Sequence, residues 1–291
     1  MKTRQASTSV FEKKEAKKLY PLCLSRLSNR SLQWAKVFCF FFAKKKRFLV
    51  LLLSLFCIAA SPRSGYEDSG PQVRAMQDDD TQNPAFLWVL QGESLWTTQA
   101  GAANKSCADC HGAPAALKGI AAHYPAWNPA SQTPITLAQR INLCRTTHQA
   151  APKLAPESDQ LLALAALVAL QSRGQSLDID EAGPLKPFIQ AGQTFFNTRQ
   201  GQLNLSCANC HEDRAGHRLG GALIPEGHAN GYPQYRLEWQ KLGSFPRRLR
   251  ACMLGVRAEP LQPDTPDATN IELYLAIRAR GLNVETPAVR P

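Results

Sequence analysis

Apolar side chains recur along this chain at helical rather than strand spacing. Phe86, Leu87, Leu90 and Leu95 make one apolar face behind Pro84, a residue suited to the first turn of a helix. Thr133-Pro134 is expected to open a second helix through Leu137, Ile141 and Cys144, and a third, rich in Leu and Ala, should run from Glu157 to Arg173 and stop at Gly174. The pattern then returns in Pro184 to Asn197, Pro246 to Val256 and Ile271 to Arg280. No run of alternating residues argues for a substantial sheet. The expected fold is mainly α: two tandem small helical domains, 61–180 and 181–291, joined near Gly174 to Gly183.

The recurrence is an internal repeat. At an offset of 100 positions, Gly92-Glu-Ser-Leu-Trp96 aligns with Gly192-Gln-Thr-Phe-Phe196, and Ser106-Cys-Ala-Asp-Cys-His111 with Ser206-Cys-Ala-Asn-Cys-His211. Farther on, the offset is 108: Tyr124-Pro125 matches Tyr232-Pro233, and Arg140-Ile-Asn-Leu-Cys144 matches Arg248-Leu-Arg-Ala-Cys252. The second copy has therefore gained eight residues between its Cys-x-x-Cys-His and its last cysteine.

The 291 residues, 44 % of them apolar, suit a globular protein, and the formal charge of +11 first suggests a nucleic-acid or acidic-membrane partner. Its distribution removes that suggestion. Residues 1–60 hold thirteen of the 34 Lys and Arg against only Glu12 and Glu15, so the excess lies there and the remainder is formally neutral. This segment ends in Lys44-Lys45-Lys46-Arg47 and an apolar stretch, Phe48 to Ala60, of about 13 residues, short of the ~20 that span a bilayer. It reads as a secretory signal cleaved near Ala59 or Ala60, with a retained membrane anchor as the alternative. The long stretch before the charged cluster is unusual for a signal and points to a start codon set too far upstream, with Met1 to Ala43 not made. The mature protein is expected in the periplasm, without a stable membrane anchor.

Cys23, Cys39 and Cys57 fall in the cleaved segment, which leaves six cysteines: Cys107, Cys110, Cys207 and Cys210 in the two motifs, and Cys144 and Cys252, one after each. Cys-x-x-Cys-His signals attachment of haem c. Two thiols three residues apart on a turn can form thioethers to the two vinyl groups, while the adjacent imidazole, His111 or His211, reaches the iron. A zinc pair built from four thiolates, or a redox dithiol, would leave both histidines unexplained. Two covalently held haems are expected, each also serving as the hydrophobic centre of a domain of about 100 residues.

The distal ligand decides the electronics of each iron. The mature chain holds only Met76 and Met253, and Met76 precedes the first motif in an expected linker. Cys144, 34 residues after Cys110, and Cys252, 42 after Cys210, occupy the expected distal region, so thiolate ligation of both irons, with low potentials, is the economical reading. A Cys144–Cys252 disulfide is the alternative in an oxidising compartment, and Met253, His123, His148, His217 and His228 are further candidate ligands.

The paired motifs, Asn142-Leu-Cys144-Arg145, and above all Arg248-Leu-Arg-Ala-Cys252-Met253 resemble the diheme SoxA subunits of the thiosulfate-oxidising system, over about Gln91 to Gly281. The resemblance implies that His111 and Cys144 ligate the first iron and His211 and Cys252 the second. It further implies that Cys252, as a persulfide, is the catalytic sulfur and that Arg248 binds substrate. The activity implied is the joining of thiosulfate to a cysteine of a sulfur-carrier protein, with release of two electrons. A small monohaem cytochrome and the carrier are the implied partners.

The residues suit that chemistry. Arg248, four positions before Cys252 on a helix, shares its face, and a planar guanidinium can grip sulfonate oxygens while favouring the thiolate. Arg247 and Arg250 should form a solvated basic face, and Arg140 should pair with a haem propionate. A diheme electron shuttle and a diheme peroxidase are the competing functions; two thiolate ligands disfavour the peroxidase.

Overall fold

The structure is a computed structural model that describes residues 62–291; the expected signal segment and Cys23, Cys39 and Cys57 lie outside the described residues. Four helices form two crossed pairs, one per copy. In the first copy α2 (Phe86–Thr97) crosses α5 (Asp159–Leu170), and in the second α6 (Lys186–Asn197) crosses α9 (Pro266–Arg278). Both crossings turn on a glycine. A Cβ on Gly92 would stand 2.5 Å from the Ala163 carbonyl oxygen, and one on Gly192 would stand 2.1 Å from that of Asn270. The helices approach too closely there for any side chain.

The short helices α3 (Ala108–His111) and α7 (Cys207–His211) carry the two motifs. Two longer helices, α4 (Leu137–His148) and α8 (Phe245–Gly255), carry the later cysteines. Thr133-Pro134 does not open α4. It lies in β2 (Thr133–Ile135), paired antiparallel with β1 (Ala126–Asn128), and the helix starts at Thr136, whose hydroxyl accepts from the Gln139 amide in a capping box. The third expected helix is likewise shorter. Glu157 adopts φ 64° and Ser158 caps α5, whereas α9 begins before Ile271, at Pro266 behind its cap Thr265.

The second copy repeats the hairpin as β5 (Gln234–Arg236) and β6 (Lys241–Gly243), and the C-terminal strand β7 (Ala288–Arg290) joins β5 in parallel. The eight extra residues of this copy accommodate a further small hairpin, β3 (Arg218–Leu219) and β4 (Ala222–Leu223). Against the expected linker around Met76, the chain forms a helix, α1 (Pro71–Asp78), and Met76 packs on the core. The helix lies on β7, where the Gln77 side-chain oxygen accepts from the Val289 amide at 3.0 Å.

The two copies exchange their hairpins. Tyr235 and Leu242, from β5 and β6, are buried in one cluster with Trp96, Leu164 and Leu167 of the first copy, with Tyr235 6.2 Å from Trp88. Reciprocally, Trp127 of β1 packs 6.1 Å from Phe188 on α6. Trp88 with Phe188, and Trp127 with Tyr235, are matching positions of the repeat, so the contacts are related by an approximate two-fold axis.

Candidate functional site

Each Cys-x-x-Cys-His is shaped by the residue between its cysteines. The Ser106 hydroxyl accepts from the Asp109 amide at 3.1 Å and the Asp109 carboxylate accepts from the Ser106 amide at 2.7 Å; Ser206 and Asn209 do the same at 3.3 and 3.1 Å. These reciprocal caps wind one helical turn, which brings thiols three positions apart onto one side with the histidine following.

Each later cysteine lies beside its own motif. Burial raises the Cys144 thiol, Arg140 opposes the rise, and Cys110 adds to it. Burial pushes Cys207 up to about 11, with Cys252 the next contributor. Cys144 and Cys252 thus belong to separate clusters, and all six described cysteines are free, which leaves the alternative disulfide without support. Met253 turns inward, buried with Phe245 and Leu249, its sulfur accepting from the Leu261 amide at 3.4 Å. His123 bonds the Asp178 carbonyl at 2.7 Å, His228 pairs with Glu226 at 2.8 Å, and His148 and His217 are exposed.

Haem c fits these residues. The donor set of two thiols, one imidazole and one facing thiol is present twice, and His211 is already oriented. Its Nδ1 donates to the Pro225 carbonyl at 2.7 Å, which leaves Nε2 as the nitrogen with a lone pair available to an iron. Gly227, at φ 79°, lies flat against the ring; a Cβ there would come 3.0 Å from Nδ1. Burial, opposed by the Pro225 bond, lowers the His211 pKa, and the charges of Arg248 and Arg278 lower it further. Among the described residues, no group of three or more His, Cys, Asp or Glu is arranged to hold a bare metal ion, as the zinc alternative would need.

Arg248 lies on α8 one turn before Cys252, and its charge reaches His211, Tyr232 and Arg236. Burial pushes the Tyr232 phenol up to about 12, and it too lies within the field of Cys252. Arg140 holds the matching place beside Cys144. Arg247 is not on a solvated face: its guanidinium stacks 4.3 Å from the Trp239 ring centroid, with Arg236 5.3 Å from the same ring. Arg278, 4.6 Å from the Phe196 ring and paired with Glu212, completes the positive surroundings of Cys207 and His211. Sequence reasoning missed Arg236, Trp239 and Arg278. The signal was the comparison of copies, because the first has Asn128 and Ser131 at the offset of 108 and, in the register set by the two glycine crossings, Gln171 in place of Arg278.

The family model for the SoxA/TsdA cytochrome c domain matches residues 91–177 and 191–284, so each matched segment holds one motif and its later cysteine. The L-cysteine S-thiosulfotransferase subunit SoxA of Rhodovulum sulfidophilum is 35 % identical over 229 residues, covering 78 % of this chain and 80 % of the relative. The subunit of the same description from Paracoccus pantotrophus is 34 % identical over 227 residues, 78 % of each chain. The crystal structure of SoxXA from P. pantotrophus superposes with a TM-score of 0.77 at 33 % identity, over 79 % of this chain and 87 % of that one. With the paired haem motifs, the crossed helices and these matches in agreement, the chain belongs to the SoxA/TsdA cytochrome c family.

Proposed function

We propose that this chain is the catalytic diheme subunit of an L-cysteine S-thiosulfotransferase, which joins thiosulfate to a cysteine on a sulfur-carrier protein. The carrier thiol and the terminal sulfur of thiosulfate form one S–S bond. No bond between heavy atoms breaks; one proton and two electrons leave, and the carrier cysteine becomes an S-thiosulfonate. Covalently bound haem supplies the acceptor for those electrons.

The chain's own residues do the rest. Cys107, Cys110, Cys207 and Cys210 would attach the two haems, one in 61–180 and one in 181–291, and His111 with Cys144 and His211 with Cys252 would hold their irons. Arg248 grips the sulfonate oxygens and holds the dianion beside Cys252, which presents its sulfur as a persulfide. The observation that carries this reading is the placement of Cys252 beside Cys207, with Arg248 one turn before it and within reach of His211. The Pro225 carbonyl, by fixing the His211 tautomer, holds the second motif in a single orientation.

The signal segment, Lys44 to Ala60, exports the protein to the periplasm. No helix among the described residues is long and apolar enough to cross a membrane. The partners are a small monohaem cytochrome, supported by the likeness to SoxXA from P. pantotrophus, and a carrier protein whose cysteine reaches Cys252.

Cys252→Ala should abolish thiosulfate conjugation while both haems stay attached, counted by their absorbance after denaturation. Retained turnover in that variant would overturn the assignment. Intact mass of the mature protein should show two haems, a chain starting near Ser61, and one additional sulfur atom that disappears with Cys252→Ala.

A further inference from the structure

Around the second reactive cysteine the two copies differ in one consistent way. The first copy has Asn128, Ser131 and Gln139 where the second has Arg236, Trp239 and Arg247, although both keep the arginine four positions before the cysteine. Trp239 is held by the backbone beneath it: a Cβ on Gly243 would come 2.4 Å from its ring. Arg236 and Arg247 both stack on that ring, which fixes two otherwise mobile side chains beside the helix turn that bears Arg248.

This leaves three guanidiniums with one carboxylate. Arg236 donates through Nε to Glu238 at 2.8 Å, and among the described residues Arg247 and Arg248 make no ion pair. The Arg236 side chain is only 15 % exposed, while Glu238 is 49 % exposed and screened. Like charges crowded in a half-buried place repel one another, and a bound dianion relieves that repulsion. Consistent with this, burial foremost and then the Arg248 charge hold Arg236 below the usual arginine range.

We infer that Arg236, Trp239 and Arg247 form an anion-receiving ledge that delivers thiosulfate to Arg248 and Cys252, and that this ledge confines the reaction to the second site. The identity of the anion rests on the function proposed above. Stacking leaves the Arg247 guanidinium edge and the two Nη groups of Arg236, whose Nε is taken by Glu238, free for parallel hydrogen bonds to sulfonate oxygens, a geometry that lysine could not reproduce. A carboxylate from the haem itself, a propionate, has the same chemistry and is the competing occupant.

The test uses the holoprotein with Arg236→Gln and, separately, Arg247→Gln. Sulfate, an unreactive dianion, is titrated calorimetrically; the KM for thiosulfate, kcat and the reduction potential of the second haem are measured alongside. Loss of one charged contact should weaken sulfate binding and raise KM about tenfold, with kcat much less affected and the potential unchanged. Unchanged sulfate affinity and KM in both variants would overturn the ledge. A shifted potential with unchanged sulfate affinity would also overturn it and assign Arg236 to the propionate. Sulfate binding that depends on Arg236, in a protein unable to conjugate thiosulfate, would keep the ledge and refute only the proposed function.

Discussion

Glu272 occupies the position on α9 that Ala165 occupies on α5, and it faces a groove between the copies lined by Glu157, Asp264 and Tyr232. Burial, and then Asp264, push its carboxyl up to about 8 from 4.5. Between those values the folded protein keeps a proton that the unfolded chain has released. Stability should therefore fall as pH rises from about 4.5 to about 8 and level off above. Urea midpoints measured across that range should lose this slope in Glu272→Gln; parallel curves would assign the slope elsewhere. Such a residue is invisible in the sequence, because one wall of the groove it faces, Leu161, Leu162 and Ala165, comes from more than a hundred positions away. By contrast, Arg248 and Cys252 were legible, since a spacing of four on one helix already places both on one face.

At the scale of elements, the crossed pairs α2–α5 and α6–α9 depend on Gly92 and Gly192, whose neighbours are backbone atoms that cannot swing away. Gly192→Ala should cost about 2–4 kcal/mol by forcing α6 off α9, despite alanine's better helix propensity. A denaturation midpoint at or above that of the parent would show that the crossing can widen freely. The helices themselves were mostly readable from apolar spacing. Thr133-Pro134 was misread as an opening signal because proline suits both a first helical turn and an edge strand, whereas the capping box of Thr136 and Gln139 was written a few residues later. Gly70-Pro71 likewise announced α1, which an expectation of linker passed over. The parallel pairing of β7 with β5 had no local signal, because three residues buried against a distant strand carry no period.

Across the whole molecule, the exchanged hairpins make each copy part of the other's core. Trp88 with Tyr235 and Trp127 with Phe188 lock the two copies, and the segment after Gly174 is bonded to the C-terminal segment, Leu177 to Leu282 at 2.9 Å. Damage to the first motif should therefore spread. On the proposed function Cys107→Ala/Cys110→Ala cannot anchor a first haem; the haem absorbance of the second copy and the helical signal should then be lost together in one transition at lower temperature. Two separate transitions would show copies that fold independently.

The reciprocal packing has a further consequence. One copy alone carries both a hairpin and the helix face that receives one, the condition for a closed two-fold pair of identical chains. In this protein, a homodimer's self-complementary contact has been written into a single polypeptide. Within one polypeptide the two copies can differ: differences near the axis must be matched on both sides, whereas the rim around Cys252 can diverge without disturbing its twin.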